Sequence, residues 1–185
     1  MAAWGWILIG IAVTVTIAVV ATVAEEKRRH ARSDRLRERF GPEYLRLVSD
    51  SDSRRRAETE LEAREVRRQE LDISPLAPAA RQRFAGEWQA LQASFVDDPG
   101  RAVRHADRIV ERVMIERGYP VEDFDHRAAD VSVDHPELVA VYRAAHQIYE
   151  SYGRGTATTE ELRHAIVDYR ALFDELLAPQ LELVG

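Results

Sequence analysis

A chain of 185 residues with 45% apolar content and a net charge of −6 has room for one domain and an appendage. It contains no cysteine, which excludes disulfides and thiolate metal sites. Residues 1–70 carry a net charge of +2 and residues 71–185 one of −8, so the acidic C-terminal part argues against nucleic-acid binding, which needs a cationic surface for phosphates.

The first element is the uncharged run "WGWILIGIAVTVTIAVVATVA", Trp4 to Ala24. A bilayer's hydrocarbon core takes about 20 helical residues to span, and Trp4 and Trp6 stand where indole rings favour the interface. Seven Lys/Arg side chains follow between Lys27 and Arg39, and no basic residue precedes the run. The positive-inside bias therefore predicts a single-pass bacterial membrane protein, N-terminus outside and C-terminal domain cytoplasmic. Lys27, Arg28, Arg29 and Arg32 are the expected contacts to anionic headgroups. The rival reading is a cleaved signal peptide ending at "TVA", Thr22 to Ala24. That reading makes the rest a secreted or extracytoplasmic module, but it lacks a basic n-region and a short apolar core. Within the run, Gly10, Thr14, Ala18 and Thr22 recur every fourth residue. Small side chains on one helix face let two helices approach, which predicts anchor self-association into a homodimer.

Residues 25–72 read as a charged helical stalk, interrupted at Gly41-Pro42. Ser53 is the expected cap of its second helix, and Glu60 and Arg64 form an (i, i+4) pair. Ala57, Leu61 and Val66 leave only a thin apolar seam, so a solvated spacer is expected.

Residues 73–178 carry four long helical patterns and one short one, with no period-two alternation. The first runs from about Ala79 to Val96. The second starts at Pro99, capped by Asp97 or Asp98, and stops at Gly118. A short helix from Val121 to about Asp130 joins it to the third, which runs from Pro136 to Tyr152. The fourth opens on a capping box, Thr158 with Glu161, and runs to Leu176. Residues 179–185 are a tail. The fold class is all-α: an N-terminal transmembrane helix (1–24), the charged stalk, and a small four-helix bundle with a short connecting helix.

The stretch "SVDHPELVAVYRAAH" puts Asp134, His135 and His146 around one apolar run. Asp134 with Glu137 three residues on, and proline in the first turn, predicts a helix cap rather than a metal site. His135 and His146 lie about 16 Å apart along a helix, too far for one ion. The remaining metal or enzymatic candidates are Glu161, His164, Asp123 and His126, but a di-metal bundle needs two E-x-x-H motifs and this chain has one. No cofactor-binding motif occurs. Tyr142, Tyr149, Tyr152 and Tyr169 are expected in the bundle core with hydroxyls at its rim. Arg104, Arg108 and Arg112, with Asp107 and Glu111 beside them, are expected on a solvated mixed-charge face.

Four motifs, "FGPEY", "EWQALQASFVDDP", "RGYP" and "SVDHPELVAVYRAAH", mark a resemblance that covers most of residues 40–176. The set resembles an uncharacterised family of actinobacterial single-pass membrane proteins, described as hypothetical or secreted. The resemblance implies one anchor and a bacterial host, in keeping with arginine at 25 of 26 basic positions. It implies no catalytic residue or ligand. The sequence thus predicts a membrane-anchored cytoplasmic helical module for protein–protein interaction or an accessory role. A metal-binding or enzymatic bundle is the alternative.

Overall fold

In a computed structural model the described residues are 2–120 and 123–179, with side chains described from Thr16 onward except Ala18. All regular structure among them is helical: α1 (Ala2–Asp50), α2 (Arg54–Glu70), α3 (Pro78–Ser94), α4 (Pro99–Arg117), α5 (Phe124–Asp134), α6 (Val139–Gly153) and α7 (Thr159–Leu177). The chain divides into two compact units at Arg39/Phe40.

The first unit is the helical stretch up to Arg39. Ile17, Val19, Val20 and Val23 are exposed on it. Beyond them Arg29 pairs with Glu25, and the Glu26 carbonyl meets the His30 ring. Among the described residues no helix is long and apolar enough to cross a membrane. The side chains of residues 4–15, the front of the uncharged run, lie outside the described ones.

The second unit begins where α1 kinks. Gly41 sits at φ 47°, a left-handed value that side-chain-bearing residues rarely adopt, and Pro42 follows it, so the sequence break appears as a kink inside one helix. The apolar core lies among α3 to α7. Trp88 and Phe84 of α3 share one cluster with Val103, Val110 and Val113 of α4, Tyr142 and Ala145 of α6, and Leu172 and Phe173 of α7. Trp88 stacks on Phe173 at 4.4 Å between ring centroids. Buried residues recur at three- and four-residue spacing, as at Leu162, Ala165, Tyr169, Leu172 and Leu176 of α7, which turns one stripe of the helix inward.

Two of the expected boundaries move. The connecting helix starts at Phe124, capped by Asp123, whose carboxylate accepts from the His126 N–H at 3.0 Å, and it runs on to Asp134. The helix expected at Pro136 starts instead at Val139, after a turn, and its first amides bond to the His135 carbonyl. The solvated stalk is also corrected. From Phe40 onward it belongs to the compact unit, with Phe40, Tyr44, Ala57, Leu61, Glu43, Glu58 and Arg64 all buried. Residues 40–70 form a hairpin, the end of α1 followed by α2, that lies on α5 and reaches α6.

Candidate functional site

The polar residues of this unit gather in two buried clusters. The first joins the hairpin to α5 and α6. Glu43, 1% exposed, accepts from Arg46 at 2.7 Å, from Arg64 at 3.0 Å and from Arg143 of α6 at 3.3 Å. Burial pushes the Glu43 carboxyl up, but the three guanidinium groups together outweigh it and hold it below the usual carboxylate range. Arg64 also donates to Ser132 at 3.3 Å, Arg67 pairs with buried Asp130 at 2.8 Å, and Arg68 pairs with Asp134. Tyr44 donates to Glu58 at 3.0 Å within the hairpin.

The second cluster lies in the bundle. Asp107 of α4 accepts from the Tyr169 hydroxyl at 2.8 Å and lies 3.4 Å from Nδ1 of His146. The His146 ring stacks flat on Phe124, centroids 3.6 Å apart. Burial and the Asp107 charge raise the Tyr169 hydroxyl far above its ordinary value, so it stays a donor. The buried Tyr142 hydroxyl beside Arg127 is pushed up to about 12, chiefly by burial. His146 also borders an open cleft of about 690 Å³ between Arg46, Asp125, Arg143 and Glu150. Chemically this is a histidine–carboxylate–tyrosine chain tying α6, α4 and α7 together, with one imidazole edge near solvent.

The expected site residues divide between the two kinds of role. Asp98 caps α4, accepting from the Arg101 N–H at 2.9 Å. Thr158 and Glu161 form the reciprocal capping box of α7. Asp134 is not a cap. It ends α5, and its carboxylate takes Arg68 and the Tyr119 hydroxyl, the latter at 3.1 Å. Glu137 lies in the turn before α6, whose N-cap Leu138 makes no side-chain bond. His135 is buried, 3.4 Å from Glu175 of α7. Asp123 is spent on His126 and Glu161 on Thr158, while His164 lies 3.5 Å from Glu160. Among the described residues no group of three or more His, Asp or Glu could hold a metal ion. Lys27, Arg28 and Arg29 are exposed and Arg32 is half-buried. Thr22 bonds the Val19 carbonyl at 2.8 Å, and the side chains of Gly10, Thr14 and Ala18 lie outside the described ones. Asp107 is buried rather than part of a solvated face, and the Tyr169 hydroxyl points to it, not to the rim.

Glu43, Arg64, Asp107 and Asp130 escape a reading based on apolar stripes. The signal for two of them is local: Arg64 continues the stripe Ala57, Leu61 at i+7, and Asp107 lies between Val103 and Val110 on the buried stripe of α4. The quoted motifs find their use here. "FGPEY" supplies Gly41, Glu43 and Tyr44, and "SVDHP" supplies Ser132 and Asp134. "RGYP" supplies Arg117, which donates to the Leu176 carbonyl at 3.0 Å, and Gly118 at φ 102°, where a Cβ would meet the Asp72 carbonyl oxygen at 2.3 Å. No family model, no curated protein and no solved structure matches this chain.

Proposed function

We propose that this chain is a single-pass bacterial membrane protein whose helical unit is a cytoplasmic interaction or accessory module. The observation that carries the reading is the uncharged run from Trp4 to Ala24 with seven basic residues between Lys27 and Arg39 behind it. Ile17, Val19, Val20 and Val23, exposed along a helix, support it, because such a surface suits lipid better than water. The resemblance to actinobacterial single-pass proteins agrees. The basic residues Lys27, Arg28, Arg29 and Arg32 would then meet anionic headgroups, and Gly10, Thr14, Ala18 and Thr22 would form the anchor's self-association face.

An interaction role is supported by how the second unit uses its polar side chains. Glu43, Asp107, Asp130 and Asp134 each engage side chains of other helices, an arrangement that builds a rigid, specific shape. Reporter fusions at the C-terminus test the reading. A cytoplasm-active reporter in the membrane fraction is expected. A reporter active only outside, or mature protein beginning at Glu25, overturns it.

A further inference from the structure

We propose that residues 40–70 are a strap that undocks from α5 and α6 as one unit, released through its ion pairs, while the core of α3 to α7 stays folded. Three observations carry this. The apolar residues that the strap buries, Phe40, Tyr44, Ala57 and Leu61, stand outside the apolar core, which starts at Leu76. Tyr44 bonds Glu58 across the hairpin. That bond joins the two arms and travels with the strap when it leaves.

The side-chain bonds that join the strap to the bundle are made by charged groups. Arg67 and Arg68 meet Asp130 and Asp134 of α5, Arg64 meets Ser132, and Glu43 meets Arg143 of α6. The strap thus presents cations to α5 and an anion to α6. A shifted register would set like charges together, so the pairs fix one docking position. Ion pairs of this kind are replaceable by solvent or by another charged surface, whereas a buried apolar stripe is not. A helix with few buried apolar contacts opens locally at far lower free energy than the core.

The third observation is the hinge. Past Leu71, whose backbone is extended, the chain is pinned to the core. The Ser74 N–H donates to the Arg117 carbonyl at 2.9 Å, and the Asp72 carbonyl packs against Gly118. Motion of the strap stops there. Undocking bares the surface of α5 that carries Asp130 and Asp134. The strap is thus a built-in switch that covers or bares that face of α5.

Hydrogen exchange of the full-length chain in detergent micelles tests this, comparing wild type with the Asp130→Asn/Asp134→Asn variant. The α2 amides should exchange at least tenfold faster in the variant, with α4 and α7 unchanged. The charge-swapped variant Arg67→Asp/Asp130→Arg should keep α2 exchange near the wild-type rate. Loss of protection in all helices together would show one cooperative unit and overturn the proposal. Unchanged α2 exchange would show that the ion pairs hold nothing. Should the asparagine variant fail to fold, a salt series on the wild type gives the same reading, with α2 alone accelerating as expected and joint or absent acceleration overturning it.

Discussion

Helices α2 and α4 have nearly the same length and are both rich in arginine, yet they bury apolar and charged side chains in different proportion. On α4 the buried face is chiefly Val103, Ala106, Ile109, Val110, Val113 and Met114, a full-width stripe pressed into the core, with Asp107 and Arg117 beside it. On α2 it is Ala57, Glu58, Leu61 and Arg64. Each large aliphatic side chain on α4 contributes about 1.5–3 kcal/mol by leaving water, whereas Arg64 and Glu43 must first offset the cost of their own desolvation. One helix is held by area and the other by pairing. A thin apolar seam therefore sets how firmly a helix is held, not whether it is buried.

The largest expected effect tests the area side of that contrast. Trp88→Ala removes the ring that stacks on Phe173 and should cost roughly 3–5 kcal/mol, read as a lower urea midpoint followed in α4 and α7 alike. A loss confined to α3 would break the picture of one shared core. On the pairing side, Glu43→Gln removes the carboxylate common to Arg46, Arg64 and Arg143. The expected cost is about 3 kcal/mol, the low end for a broken buried pair, because Arg64 keeps Glu60 and Arg143 keeps Asp125. It should fall on the strap alone, as faster tryptic cleavage between Arg54 and Arg68 with an unchanged global midpoint. Acid should do the same. Glu43 is held below the usual carboxylate range, so its contribution is complete above pH ~4.3 and fades as pH falls below that.

The same contrast explains what was legible in the sequence. Signals closed within one turn read correctly: Asp98 to the Arg101 amide, Thr158 with Glu161, Ser53 to the Arg56 amide, and Gly118 at the end of α4. So did the stripes of α3, α4 and α7, since periodicity reports area, whereas the buried stripe of α6 is Val139, Tyr142 and Ala145. The ion pairs that join residues 40–70 to α5 and α6 were illegible because their partners lie far apart in sequence. Arg64 meets Ser132 across 68 residues, and Glu43 meets Arg143 across 100. No local pattern encodes which of many arginines faces which carboxylate. Asp134 misled for a related reason. Asp before His-Pro-Glu has the composition of a cap, but the carboxylate was claimed by Arg68 and Tyr119 from elsewhere.

Asp98 and Asp134 turn that difference into a smaller measurement. Asp98→Ala should cost roughly 0.5–2 kcal/mol, and Asp98→Asn should recover most of it, since an amide oxygen still accepts from the Arg101 N–H. Asp134→Ala should cost at most about 1 kcal/mol, because its pair with Arg68 is partly solvated. Asp134→Asn should recover little of that, because the amide carries no charge for Arg68. Rescue by asparagine at both positions would mean that Asp134 acts through its oxygen alone, as a cap does.

The smallest expected effect belongs to His135, buried at the end of α5 where the bundle meets α7. Burial lowers its pKa, and the nearby Glu175 and Asp134 charges oppose that only in part, while Arg117 adds to it. The folded protein therefore holds His135 neutral more firmly than the unfolded chain does. Below the ordinary histidine value of about 6.5 the unfolded chain binds the proton more readily, so acid draws the equilibrium toward unfolding. The contribution is complete above that pH and is lost as pH falls through the lower folded value. Urea midpoints of wild type and His135→Gln at pH 5.5, 6.5 and 7.5 isolate it. Wild type should lose stability relative to the variant on acidification and hold level between pH 6.5 and 7.5. A wild type that gains on the variant as pH falls would mean that Glu175, 3.4 Å away, outweighs burial, and that a charged pair helps hold the area-packed end of the bundle as well.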